Sequence, residues 1–261
     1  KIFASQRRIF NSMSKNLILI PSRLSAKRLP NKPLLEIKKK PLIYHVYKKA
    51  LKIQSQNVFV VTGDKKIFNK ILDLGGKCIL TKKRHNNGTE RIFEGFKILN
   101  NKKFKYIINL QGDEPIINTK DIKKFISDLS RKNYQMGTMA CDIDSRKDFF
   151  NKNLVKVLTK NKIDKKNPSY AVNFTRKGHF KNTNNIYHHI GIYMYKTSIL
   201  KKFVKLKRTK NENKFKLEQL RALENKIPIK VFYTNNKPIG VDTYQDFKKV
   251  KKLMEKKNII I

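Results

Sequence analysis

The sequence predicts an α/β protein built on a mostly parallel sheet. Three observations predict it. From Leu17 onward, short runs rich in Ile, Val and Leu alternate with amphipathic stretches of helical period. The apolar runs are continuous rather than alternating, as in strands covered on both faces. The polar, Gly- and Pro-containing segments that carry candidate chemistry follow the apolar runs directly, at the strand ends where open parallel sheets bind ligands.

Each element has its own signal. "NLILI" (16–20) reads as the first strand, and "PLIYHVYKKALK" (41–52) as a helix opened by Pro41. "NVFVVTG" (57–63) is a second strand. "KIFNKILDLGG" (66–76) is a helix closed by Gly75 and Gly76, and "KCIL" (77–80) a short third strand. "TERIFEGFKILN" (89–100) has helical periodicity, and "KYIINL" (105–110) is a fourth strand. From Met136 to Tyr195 the pattern becomes irregular and strand-rich, with "MGTMACDI", "LVKVLT", "YAVNF" and "IGIYMYK". This predicts an inserted subdomain over 136–195 inside a single domain spanning 16–261. "FKLEQLRALENK" (215–226) is expected as one helix, "IPIKVFYT" (227–234) as the last core strand and "YQDFKKVKKLMEKK" (244–257) as a closing helix.

Charge narrows the function classes. The 261 residues hold 61 Lys+Arg against 19 Asp+Glu, a formal net charge of +42. A nucleic-acid surface gathers its cations on one face with interleaved aromatics, whereas here Lys recurs in nearly every segment. Solvated lysines on a globular enzyme are the favoured reading, with a basic nucleic-acid-binding protein as the alternative from another class. Two cysteines, Cys78 and Cys141, lack the spacing of a zinc site or disulfide framework and fit a reducing cytoplasm. No apolar run reaches membrane-spanning length. Residues 1–15 form a basic, acid-free leader, expected to lie outside the folded domain; Met13 is a candidate start, and a targeting segment the other reading.

The chemistry gathers in a few loops. After the first strand, Arg23, Lys27, Arg28 and Lys32 share a loop stiffened by Pro21, Pro30 and Pro33. Guanidinium forks and ammonium groups at a ligand-binding sheet edge suit a polyphosphate. "QGDEP" puts Asp113 and Glu114 after the fourth strand in a chain short of carboxylates, and such acids are natural Mg²⁺ ligands alongside phosphate oxygens. "GVDTYQDF" supplies Asp242, with Gly240 read as allowing close backbone approach; Asp242 is equally well read as the N-cap of the following helix. "RHNNGTERI" joins a Gly turn to a helix start, suited to an anion or base edge but also an ordinary helix start. His188 and His189 precede a strand, where alternation sends neighbouring side chains to opposite faces. No Ser/His/Asp arrangement, metal-spaced Cys/His cluster or Walker-type phosphate loop is present.

Taken in order, "IPSRLSAKRLPNKPL", "NGTER", "LQGDEP", "NLVKVL", "HHIGIYMY", "LEQLR" and "GVDT" resemble the cytidylyltransferases that activate the eight-carbon sugar acid KDO, the CMP-KDO synthetases, over about residues 16–254. The resemblance implies a Rossmann-like nucleotidyltransferase fold and a cytoplasmic homodimer supplying lipopolysaccharide synthesis, with no membrane or specific nucleic-acid partner. It also implies CTP and KDO as substrates and Mg²⁺ as cofactor. The 2-hydroxyl of KDO would attack the α-phosphorus of CTP, giving CMP-KDO and pyrophosphate; another sugar acid is the runner-up substrate.

By the same resemblance, Arg23, Arg28 and Lys32 hold the triphosphate, and Pro21, Ser22, Asn87, Gly88 and Gln111 complete the nucleotide site. Asp113 and Asp242 hold the metal and, with Arg23 and Lys32, carry catalysis. Gln111, Arg176, His189, Tyr193, Glu218 and Gln219 line the sugar-acid pocket. The chain departs from the family pattern at Asn87, where Ser is common, and after Arg176, where "KGHF" replaces a more apolar, Pro-containing segment. It also has "VDTYQD" for "VDTPED".

Overall fold

The structure is a computed structural model that describes residues 15–25, 28–82, 84–100, 103–178 and 184–256. The leader (1–14), Lys27, His179 and Phe180 lie outside the described residues. The chain divides into two compact units, one made of the segments up to Lys124 and from Pro238 onward, the other of Phe125–Lys237.

In the first unit, β1 (Asn16–Ser22), β4 (Val58–Thr62), β5 (Cys78–Leu80) and β6 (Tyr106–Asn109) form a parallel sheet in the order β5-β4-β1-β6. Ile18 is in register with Val58 on one side and Ile108 on the other. Leu17, Ile18, Leu19 and Ile20 are all fully buried, which explains the unbroken apolar run. The crossovers carry α1 (Leu42–Ile53), α2 (Lys65–Asp73) and α3 (Gly88–Leu99). The chain leaves α2 through Gly75 at φ 71°, with its N–H on Leu72 O and that of Gly76 on Ile71 O, a backbone form that favours glycine.

A small hairpin, β2 (Glu36–Ile37) and β3 (Lys40–Pro41), follows the cationic loop. It belongs to a satellite core in which Leu29, Ile37 and Leu42 pack with Val241, Phe247, Val250 and Met254. That cluster draws the returning segment and α9 (Tyr244–Lys256) onto the loop after β1.

The second unit carries β7 (Met136–Cys141), β8 (Lys156–Thr159), β9 (Ser169–Thr175), β10 (Ile186–Lys196) and β11 (Ile229–Tyr233), ordered β10-β7-β11-β9-β8. The sheet is mixed: β11 runs parallel to β7, and the other pairings are antiparallel. β8 also pairs with the first part of β10, so the strand order closes on itself, and β10 shifts register between Ile190 and Tyr193.

Three differences from the sequence reading stand out, and two have a clear physical cause. Helix α4 (Thr119–Arg131) was not expected, because lysines dilute its apolar stripe; Ile122, Phe125, Ile126 and Leu129 are nevertheless buried at helical spacing. α5 (Arg146–Phe150) and α6 (Thr197–Lys205) are likewise additional. The expected single helix over 215–226 is instead α7 (Lys210–Phe215) and α8 (Gln219–Glu224), separated by Lys216 at φ 53°. Arg221 explains the fold-back. It is buried, with Nε 2.9 Å from Glu212 Oε2 and its guanidinium over the Phe203 ring, contacts a continuous helix would not place together.

Candidate active site

The first unit opens a cleft of about 680 Å³ at the carboxyl ends of its parallel strands. Pro21, Ser22, Arg23, Arg28, Lys32, Asn87, Gly88, Gln111, Asp113 and Asp242 all line it. Pro33, read from the sequence as stiffening the cationic loop, lines it too, as do Ser25, His85, Gly112 and Arg91, which sequence reading did not single out.

Local structure explains the placement. β1 ends at Ser22, and the loop that follows is tied to the end of β4 by Leu24 N–H donating to Asp64 Oδ2 at 3.0 Å. A tight 3₁₀ turn at Lys32–Leu34, entered through Asn31 in the left-handed region, aims Lys32 back at the strand ends. After β6 the chain passes close under Pro21: a Cβ at Gly112 would sit 2.8 Å from Pro21 O, so only glycine fits. Asp113 follows, and its carbonyl accepts the Val241 N–H at 2.9 Å, which brings Asp242 alongside.

The two acids converge on one cation. Lys32 Nζ lies 2.7 Å from Asp113 Oδ2 and 3.4 Å from Asp242 Oδ1, and Arg28 pairs with Asp242 Oδ2 at 2.9 Å. Asp242 is not the helix cap. Thr243 Oγ1 accepts the Asp246 N–H at 3.2 Å while Asp246 Oδ2 accepts the Thr243 N–H at 2.9 Å, a reciprocal cap that leaves Asp242 to its cations. Gly240 does not serve close approach, since a Cβ there would meet nothing within 4 Å. Beside the pair, Glu114 has its carboxyl pushed up to about 8 by burial, then by Asp113 and Asp242, with Lys32 opposing.

On the opposite wall, Asn87 caps α3 with its side-chain oxygen, accepting the Glu90 N–H at 2.8 Å. The departure from Ser is thus absorbed as an ordinary helix cap. His85 Nε2 lies 2.5 Å from Glu94 Oε2, and buried Arg91 donates to Thr81 Oγ1 at 2.8 Å. These contacts fix the cleft wall. His85 and Glu94 carried no sequence signal, because their pairing depends on how the loop returns to α3.

The remaining predicted residues lie in the second unit. His189 is buried, with Nε2 3.0 Å from Thr138 Oγ1 and its ring edge-on to Phe174 at 5.2 Å and tilted against Tyr193 at 5.4 Å. Burial, the neighbouring His188 and Arg176 pull its pKa down to about 3, so the ring is neutral near pH 7. His188 points elsewhere, with Nδ1 3.7 Å from Cys141 Sγ; burial and Lys237 lower it to about 4. Tyr193 is raised well above the ordinary phenol value by burial, then by Tyr195 and Glu218. Arg176 donates from Nη1 to the carbonyls of Asn153 at 3.2 Å and Lys152 at 3.4 Å. Glu218 accepts from Arg221 Nη2 at 3.2 Å, and buried Gln219 opens α8. Gln111 belongs to the cleft of the first unit.

Cations and a convergent acid pair at the carboxyl ends of parallel strands define a nucleotide-handling transferase of the α/β class. Comparison with known proteins agrees. The sequence model of the cytidylyltransferase family matches residues 17–237. The chain is 41% identical over 255 residues to the 3-deoxy-manno-octulosonate cytidylyltransferase of Thermodesulfovibrio yellowstonii, covering 91% of this chain and 97% of that protein. It is 35% identical to the enzyme of that name from Haemophilus influenzae, covering 92% and 98%.

The solved structure of CMP:2-keto-3-deoxy-manno-octonic acid synthetase complexed with CTP superposes with a TM-score of 0.83 at 31% identity, over 93% of this chain and 99% of that one. UDP-glucose pyrophosphorylase shares the fold at a TM-score of 0.69 and 15% identity, over 93% and 99% of the chains. The chain belongs to the cytidylyltransferase family, among the 3-deoxy-manno-octulosonate cytidylyltransferases, and is a CTP-using nucleotidyltransferase.

Proposed function

We propose that this protein transfers the cytidylyl group of CTP to the 2-hydroxyl of KDO, releasing pyrophosphate and giving the CMP-sugar used for lipopolysaccharide synthesis. The observation that carries the reading is the meeting of Asp113 and Asp242 on Lys32 within a cleft also lined by Arg23 and Arg28. The names of the relatives, and the CTP in the solved homologue, support the substrates.

The acid pair fits a divalent cation. Two carboxylates within reach of one ammonium offer hard oxygen ligands to a single cation, with phosphate oxygens to complete the set. Among the described residues no group of three or more His, Cys, Asp or Glu is placed to hold a metal ion by itself. Asp113 and Asp242 would hold Mg²⁺, which would supply Lewis-acid charge at the phosphates and the attacking hydroxyl.

The chain's own residues do the rest. Arg23, Arg28 and Lys32 neutralise the triphosphate and hold it for in-line displacement, in which the new O–P bond forms as the bond to the β-phosphate oxygen breaks. Pro21, Ser22, Asn87, Gly88 and Gln111 shape the nucleoside end. Arg176 pairs with the sugar carboxylate, while His189, Tyr193, Glu218 and Gln219 meet its hydroxyls. His189, held neutral, reads a hydroxyl without adding charge. We read the second unit as the sugar-acid and dimerisation part of one cytidylyltransferase domain, working as a homodimer in the cytoplasm. Among the described residues no helix is long and apolar enough to cross a membrane.

The test is pyrophosphate release by purified protein with CTP, Mg²⁺ and a panel of sugar acids. Release with KDO above all others is expected. Release with another sugar acid alone would reassign the substrate, and none with any would overturn the reading. Light scattering of the same sample reads the dimer.

A further inference from the structure

The second unit keeps a lysine where solvent does not reach. Lys156 opens β8 and is fully buried, in register with Thr175 of β9 and His188 of β10. Its ammonium donates to Asn151 O at 2.6 Å and Arg176 O at 3.3 Å. It makes no ion pair with a carboxylate among the described residues; Asp148 and Arg176 are the charges that act on it. An ammonium buried on neutral carbonyls is costly, and an apolar side chain would fill a strand position more cheaply. The position therefore needs the charge or its donors.

The partners show what they serve. Asn151 begins the turn whose next two carbonyls, those of Lys152 and Asn153, receive the Arg176 guanidinium. Lys156 thus grips the turn and the backbone of Arg176 from beneath, while the Arg176 side chain docks on the same turn. Charges of both signs lie around this turn: Arg176 acts on His189, Lys237, Asp148, Asp144 and Lys156 act on His188, and Lys237 is paired with both acids.

We propose that Lys156 is a positioning residue for the acidic substrate: it fixes the Arg176 backbone and the Asn151–Asn153 turn so that the guanidinium meets the substrate carboxylate, and adds a buried positive charge behind it. This rests on the reading of Arg176 as the carboxylate's partner.

The experiment compares Lys156→Met, Lys156→Gln, Lys156→Arg and Arg176→Met, with the Lys156→Met/Arg176→Met double variant, in the full chain. KM for KDO, KM for CTP, kcat and binding of CTP alone are measured for each. Expected is a rise in the KDO KM of at least roughly tenfold for Lys156→Met, with CTP binding unchanged and partial recovery in Lys156→Arg. In the Arg176→Met background the Lys156 change should add less than about twofold, because the two act through one contact.

A KDO KM within about twofold of wild type in Lys156→Met overturns the proposal, as do equal losses for both substrates or fully multiplicative effects in the double variant. If Lys156→Met and Lys156→Gln both lose near-UV circular dichroism, the lysine is a folding requirement and the proposal also falls. Failure of the underlying reading looks different: Arg176→Met alone then leaves the KDO KM unchanged.

Discussion

Asp113 and Asp242 share Lys32, and Asp242 also pairs with exposed Arg28, so removing either acid leaves the Lys32 ammonium with the other carboxylate. Asp113→Asn and Asp242→Asn are expected to fold and to lose roughly 10²–10³-fold in kcat, the scale of removing one electrostatic contact to a developing charge. Steady-state pyrophosphate release at saturating CTP checks this; full activity in both would remove the acid pair from catalysis. Lys32 has two tasks, since its ammonium lies between the acids and belongs to the loop that meets phosphate. Lys32→Met should therefore raise the CTP KM and also lower stability, by taking from Asp113 the cation it shares with Asp242 while Asp242 keeps Arg28, and the stability loss should shrink in the presence of Mg²⁺. Equilibrium denaturation with and without the cation reads the second effect.

At the scale of elements, the site depends on helix starts and tight passages. Thr243 and Asp246 cap α9 reciprocally, and that cap holds the strand of chain bearing Asp242. Thr243→Ala should cost about 1 kcal/mol by denaturant unfolding, with a raised CTP KM because Asp242 loses its fixed approach. Asn87 caps α3 through its side-chain oxygen, a role Ser also fills, so Asn87→Ser should be near neutral in stability, whereas Asn87→Ala should cost about 1 kcal/mol. If Asn87→Ser abolished nucleotide binding with stability intact, the asparagine would read the base as well as cap the helix. Gly112→Ala has no room beside Pro21 O and Ile43 Cδ1; a loss of about 1–3 kcal/mol and a displaced Asp113 are expected, seen as weaker CTP binding in calorimetry.

For the molecule as a whole, pH acts through the buried histidines. His188 and His189 fall from the ordinary 6.5 to about 4 and about 3, so the folded state holds both neutral. Above pH 6.5 neither state is protonated there and the full stability is present. As pH falls through 6.5 the unfolded chain takes up protons that the fold refuses. Stability should then decline by about 1.4 kcal/mol per pH unit for each histidine, until the folded values are reached. Glu114, raised to about 8, works in the opposite direction between about pH 8 and 4.5, so the histidine share is read by difference. Urea unfolding at pH 7, 5.5 and 4.5 of wild type and His188→Gln tests this: the variant should lose less stability per pH unit on acidification than wild type, and identical profiles would show that the His188 ring is not held neutral. The charge of +42 acts differently, speeding the encounter with anionic substrates at low salt and fading as the screening length shortens toward roughly 8 Å at physiological ionic strength.

Much of this architecture could be read before any coordinates. Continuous apolar runs mark β1, β4 and β6, Gly75 marks the end of α2, and the cationic loop, "QGDEP" and "GVDT" stand where strands end. These are local signals, carried by residues a few places apart, and local periodicity suffices to reveal them. Helix α4 was within reach of the same reasoning, through Ile122, Phe125, Ile126 and Leu129, but its lysines masked the stripe.

Other features have no local trace. Asp242 reads equally as a cap until Thr243 is seen to take that role; His85 is an isolated histidine until Glu94 meets it; Lys156 looks like an ordinary polar residue in "LVKVL" until β9 and β10 close over it. The order of elements and the kinds of side chain available were thus already written in the chain. Which carboxylates share a cation, and which lysine is sealed from water, came only with the fold, because burial and charge pairing depend on segments brought together by the packing of Val241, Phe247 and Val250 against Leu29 and Ile37, and by the strand pairing around β8.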